Sequence, residues 1–206
     1  MKEPAGIGHT PAREGAAMKY DLDRKRTRGA ERTLAAFSSA LLDLCAQKPF
    51  EHVSASELCE RAGYPRATFY NYFDDKYDLL NYCWRRVAEE VDFEGFRELD
   101  PAQTTVVFFD RLCDVIDAHA EQMAGIVRHN DEVGYLFGSL RMYLDARVCE
   151  IVAAGLCGKV FPIPSEVVAE HFGNTIMLVL KWLYLREPLK TRDQAHVALD
   201  YLLRGL

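Results

Sequence analysis

Long hydrophobic runs are missing from this sequence. No stretch of its 206 residues approaches about eighteen uninterrupted apolar positions, which excludes a helical membrane span, and the N-terminus lacks the apolar core of a secretory signal. A cytoplasmic protein with no membrane partner is expected. The cysteines Cys45, Cys59, Cys83, Cys113, Cys149 and Cys157 include no CxxC pair, which argues against a disulfide frame or a zinc site and for reduced, mostly buried thiols. No segment alternates as a strand should, and no repeat of about 20 to 50 residues is present. A phosphate-cradling glycine loop, an HExxH pair and a nucleophile elbow are also absent. His119, His129 and His171 are too widely spaced to share a site except through tertiary convergence, and Asp74, Asp75, Glu89 and Glu90 read as caps or solvated faces. No catalytic group, metal or cofactor is expected.

Positive charge is short overall but unevenly placed. The formal net charge is −6, yet residues 19–76 carry ten Lys or Arg against nine Asp or Glu, while residues 77–206 carry thirteen against twenty. The acidity is C-terminal. Lys19, Arg24, Lys25, Arg26, Arg28 and Arg32 form a basic arm that suits phosphates or a minor groove, with a merely solvated terminus as the alternative. Residues 1–18 have no net charge and no apolar periodicity, and the reading is a disordered N-terminal extension.

What is present is helical periodicity. Leu34, Phe37, Leu41 and Leu44 predict a helix over about Thr27 to Gln47. Ser54 and Glu57 supply a capping box for a short helix that stops at Gly63, and Pro65 opens the next. On this second helix Phe69, Tyr72 and Phe73 fall on one side, and Arg66, Ala67, Tyr70 and Asn71 on the other. The second arc suits a major groove: Arg66 can fork onto guanine, Ala67 can lie on a thymine methyl, and Tyr70 and Asn71 can reach base edges or phosphates. A helical hairpin with a solvated face is the bland alternative.

The segment from about Arg28 to Leu80, with AGYPRA followed by TFYNYFDDKYDLL, resembles the DNA-binding domain of the TetR family of transcriptional regulators. The resemblance implies base contacts from Arg66, Ala67 and Tyr70, and phosphate contacts from Thr68, Tyr72, Lys76 and the Ser54 cap. The family commonly places a small polar cap where this chain has Pro65, so the start of the recognition helix is where this chain departs from the pattern. The expected fold is all-α: a three-helix helix-turn-helix domain over 19–75 and a helical effector-binding and dimerisation domain over 76–206. The implied function is a ligand-responsive regulator, usually a repressor, that binds a palindromic operator in double-stranded DNA as a homodimer. A co-regulator acting through a protein partner and a small helical enzyme stay open as alternatives.

Further helices are expected over about Lys76 to Glu98, Pro101 to His119, Met123 to Arg128, Glu132 to Ala154, Ser165 to Leu185 and Thr191 to Leu203. Phe108, Phe109, Tyr135, Phe137, Met142, Tyr143 and Phe172 are candidates to line a small-molecule effector pocket, although aromatics at helical spacing are more often simply core. The helix near Ile176 is apolar nearly all round, which one chain's core does not account for. Ile176, Val179, Leu180, Leu183, Tyr184, Leu199 and Leu202 are therefore expected at a dimer interface.

Overall fold

The computed structural model describes residues 27–91, 101–155, 162–185 and 190–204. The regular elements among them are all helical. In chain order they are α1 (Arg28–Cys45), a 3-10 turn (Phe50–His52), α2 (Ala55–Ala62), α3 (Arg66–Tyr72), α4 (Lys76–Val91), α5 (Pro101–Ala118), α6 (Ala120–His129), α7 (Tyr135–Gly155), α8 (Ser165–Tyr184) and α9 (Arg192–Arg204). The 3-10 turn was not legible as an element. The expected extension of α4 to Glu98, the expected disordered N-terminal extension, and Lys19, Arg24, Lys25 and Arg26 lie outside the described residues.

Local chemistry explains where the helices begin. Thr27 caps α1, its Oγ1 accepting from the Ala30 amide at 3.2 Å. Asp75 caps α4, its Oδ1 accepting from the Tyr77 and Asp78 amides, both at 2.9 Å. At α9, Thr191 and Gln194 form the expected reciprocal box: the Thr191 amide donates to Gln194 Oε1 at 3.0 Å and the Gln194 amide to Thr191 Oγ1 at 3.3 Å.

Two apolar cores result. The first gathers Leu34, Phe37 and Leu41 of α1, Phe50, Leu58 of α2, Phe69, Phe73, and Leu79 and Leu80 of α4, and adds Ile126 and Leu136 from far along the chain. The second joins Val91 to Phe108, Phe109 and Leu112 of α5, Ile176, Val179, Leu180 and Leu183 of α8, and Leu199 of α9. α4 contributes to both, so it ties the N-terminal helices mechanically to the rest. No described helix is long and apolar enough to cross a membrane.

Candidate nucleic-acid interface

The site begins with how α2 and α3 are held. Ser54 Oγ accepts from the Glu57 amide at 3.4 Å while Glu57 Oε2 accepts from the Ser54 amide at 3.0 Å. Lys48 pairs with the same carboxylate. That ion pair first, and then the Ser54 hydroxyl and amide, pull the Glu57 carboxyl down to about 2. At the other end Gly63 adopts φ 73°, a left-handed conformation that closes α2. A Cβ there would meet nothing within 4 Å, so backbone conformation rather than space requires glycine.

Pro65 is the N-cap of α3, extended at φ −61° and ψ 152°, with no side-chain cap. Its carbonyl accepts from the Thr68 amide at 2.9 Å and from Phe69 at 3.3 Å, so the helix starts despite the missing polar cap. Phe69 and Phe73 are fully buried, their ring centroids 5.3 and 6.1 Å from Phe37 in edge contacts. Those two anchors fix the roll of α3. Arg66, Ala67, Tyr70 and Asn71 are consequently all exposed on the opposite arc, with Thr68 and Tyr72 half-buried at its margins. Arg66 Nη2 donates to Ser56 Oγ on α2, and Tyr70 leans edge-on against Phe69 at 5.3 Å. Arg28 is exposed at the first turn of α1, and Ser54 is exposed at the start of α2.

Lys76 does something other than expected. Its ammonium donates to the carbonyls of Phe50 at 3.0 Å, Glu51 at 2.7 Å and Val53 at 3.0 Å, and lies 4.9 Å from the Phe50 ring centroid. Desolvation pulls its pKa below the ordinary lysine value, and Glu51 opposes that pull. All three donors are committed to the chain's own backbone, which corrects its assignment to a phosphate. Sequence could not reveal this, because the partners are carbonyls.

The aromatic candidates for an effector site do not converge. Phe108 and Phe109 are buried in the second core with Phe172 against it, whereas Phe137 and Tyr143 pack on the first. Met142 is 57% exposed. Tyr135 stacks on Phe50 at 5.8 Å and meets Tyr77 edge-on at 4.7 Å, against the 3-10 turn and the start of α4. Most of the expected dimer residues also need correction: Ile176, Val179, Leu180, Leu183 and Leu199 are buried in their own chain's second core. Tyr184 is half-buried, its hydroxyl donating to Asp117 Oδ1 at 2.9 Å. Of the expected set, Leu202 faces outward, 36% exposed. Among the described residues of α8 and α9, other apolar side chains are open in one chain: Val167 at 50%, Leu178 at 51%, Val197 at 72% and Tyr201 at 80%, with Trp182 lining an open groove beside the last two.

Among the cysteines, Cys45 and Cys83 are buried, and burial pushes both thiols up to about 12. They behave as small core groups.

A short helix whose apolar side is locked into a three-helix core and whose polar side is open defines the class: a helix-turn-helix DNA-binding protein. Residues 39–83 match the family model for bacterial regulatory proteins of the tetR family. That match places the tetR-family likeness on the DNA-binding segment, from within α1 to within α4. Among solved structures the chain is similar to the TetR family transcriptional regulator PfmR from Thermus thermophilus, with 18% identity and a TM-score of 0.50 over 88% of this chain and 98% of that one. It is also similar to the TetR transcriptional regulator SCO0520 from Streptomyces coelicolor, at 21% identity and a TM-score of 0.40 over 85% and 97% of the two chains. At such identity the first likeness concerns the fold alone. No curated protein matches the sequence at a significant level.

Proposed function

We propose that this protein is a ligand-responsive repressor that binds a palindromic operator as a homodimer. The observation that carries DNA reading is the α3 face: Phe69 and Phe73 are locked inward, and Arg66, Ala67, Tyr70 and Asn71 stand open together. Arg66 offers two donors to guanine, Ala67 contacts a thymine methyl, and Tyr70 and Asn71 reach base edges. Thr68, Tyr72, Ser54 and Arg28 flank that arc and serve phosphates. Lys76 holds the scaffold instead.

Dimerisation is supported by the exposed face of α8 and α9. Leu178, Trp182, Val197, Tyr201 and Leu202 present apolar surface that a second copy would cover about a two-fold axis. Two recognition helices about 34 to 36 Å apart then meet successive major grooves on one side of DNA. The helices after residue 75 serve as the effector-binding and dimerisation domain, and residues 19–75 as the reading domain. Within the effector domain a small molecule would take a space between helices.

The experiment is a mobility-shift titration against duplexes tiled across the DNA upstream of the chain's own gene, with sedimentation of the same protein. One tile should bind about a thousand-fold or more tighter than random duplex, with two chains per site. Uniform binding to every tile, or a monomer that binds with full affinity, would defeat the proposal.

A further inference from the structure

Asn130, the residue directly after α6, is buried, and both ends of its side-chain amide are hydrogen-bonded. Its Oδ1 accepts from the Phe50 amide at 2.8 Å, and its Nδ2 donates to the carbonyls of Cys45 and Ile126, each at 2.8 Å. Cys45 ends α1 and Phe50 begins the 3-10 turn, so two of these groups are terminal backbone groups with no partner inside their own helix. A side chain that answers both needs a donor and an acceptor on one plane, which an amide has and a carboxylate lacks.

The contacts around Asn130 point the same way. Gln122 Nε2 on α6 donates to Asp43 Oδ1 on α1 at 2.7 Å, and the Tyr135 amide donates to Glu51 Oε1 at 3.3 Å. Gly125 lies so close to the end of α1 that a Cβ on it would stand 2.7 Å from the Ala46 carbonyl oxygen. From the other side Lys76 takes the Phe50, Glu51 and Val53 carbonyls. The connection from α1 to α2 is therefore clamped between the start of α4 and the corner between α6 and α7. Val53 is followed at once by the Ser54 cap of α2, and α2 carries α3.

We propose that Asn130 is a positioning residue for DNA recognition, which sets where α2 and α3 sit by tying the connection between α1 and α2 to the corner between α6 and α7. It touches no DNA and acts through the backbone of Cys45 and Phe50. The inference rests on the DNA-reading function proposed above, and on a pairing over 80 and 85 residues that a hinge on α4 alone would not require. Placement of the reading helices is then a property of the whole chain rather than of its first 75 residues.

The test compares Asn130→Ala, Asn130→Asp and Gly125→Ala with Leu112→Ala, which thins the second core instead. Asn130→Asp keeps the shape but turns a carboxylate oxygen toward two carbonyls. Gly125→Ala keeps Asn130 and pushes α6 away from α1, so it serves if the Asn130 variants fail to fold. Circular dichroism and sedimentation first establish that each protein is folded like the wild type. Amide hydrogen exchange over residues 46–53 should then rise about ten-fold or more in the three junction variants, and affinity for the selected operator should fall by a similar factor, as loss of a buried hydrogen bond implies. Leu112→Ala should change neither by more than about three-fold. Folded junction variants with wild-type exchange over residues 46–53, or with operator affinity equal to that of Leu112→Ala, would overturn the inference. A wild-type chain that selects no duplex defeats the proposed function separately, and the exchange comparison still decides whether Asn130 holds the connection.

Discussion

The two cores are built by different means. The first interlocks aromatic rings: Phe37 meets Phe69 and Phe73 edge-on, Phe73 meets Tyr82, and Phe50, Tyr77 and Tyr135 touch one another in a triangle. The second is mainly aliphatic and is tied at its rim by charge, with Arg192 bridging Asp114 and Asp117, each at 2.6 Å, and His196 against Asp110 at 2.6 Å. Near it, on α7 and α8, Asp145 Oδ1 and His171 Nε2 are buried without a hydrogen-bond partner among the described residues. Burial raises the Asp145 carboxyl pKa, which Arg141 partly offsets. Ring edges fix both distance and angle, whereas aliphatic contacts and rim ion pairs tolerate rearrangement. A reading surface that must present four side chains in one register gains from the first kind of core. A region proposed to accept a ligand gains from the second.

The largest effect that would break this contrast is at Phe37, whose ring touches both anchors of α3. Phe37→Ala should cost about 3 to 5 kcal/mol of stability by urea unfolding, with operator binding lost at moderate temperature. A loss below about 1 kcal/mol would show that the aromatic lock is dispensable. Next comes the open face of α8 and α9, where Tyr201→Glu places a charge on a side chain 80% exposed in one chain. The expected product is a folded monomer by sedimentation, with operator affinity reduced about a hundred-fold or more through lost bivalence. A variant that stays dimeric would move the interface elsewhere.

A smaller effect separates scaffold from DNA contact. Lys76→Met keeps the stem but takes a donor from three carbonyls, of which that of Phe50 keeps the Val53 amide, and it should cost about 1 to 3 kcal/mol in thermal or urea unfolding. Affinity of the remaining folded protein for random duplex should be unchanged, and a shallower salt dependence would restore Lys76 to the phosphate set.

The smallest effect is at the α2 cap. The Glu57 carboxyl lies below its ordinary value of 4.5, at about 2, so the stability it contributes is fully present above pH 4.5 and is lost as pH falls through about 2. The stability difference between wild type and Glu57→Gln should shrink across that window, and a difference indifferent to pH would show that the Glu57 charge beside Lys48 adds nothing to the cap.

These residues also show what a sequence can and cannot disclose. Ser54, Glu57, Gly63, Phe37, Phe69 and Phe73 were legible because a cap, a left-handed stop and an apolar period are local patterns. The inner face of α8 was not. With apolar groups nearly all round, the sequence could not say that Ile176, Val179, Leu180 and Leu183 turn inward while Leu178 turns out. Lys76 and Asn130 were missed for a different reason, since their partners are backbone groups brought close by tertiary packing, and nothing in a side-chain pattern marks a carbonyl as needing a donor.

The most direct measurement concerns Arg66, which lies on the open arc of α3 and donates to Ser56 from there. Fluorescence anisotropy on the selected operator and on random duplex, at one salt concentration, should show Arg66→Ala losing about 1 to 3 kcal/mol per half-site on the operator and almost nothing on random DNA. Equal losses on both duplexes would contradict a recognition helix that reads bases through this face.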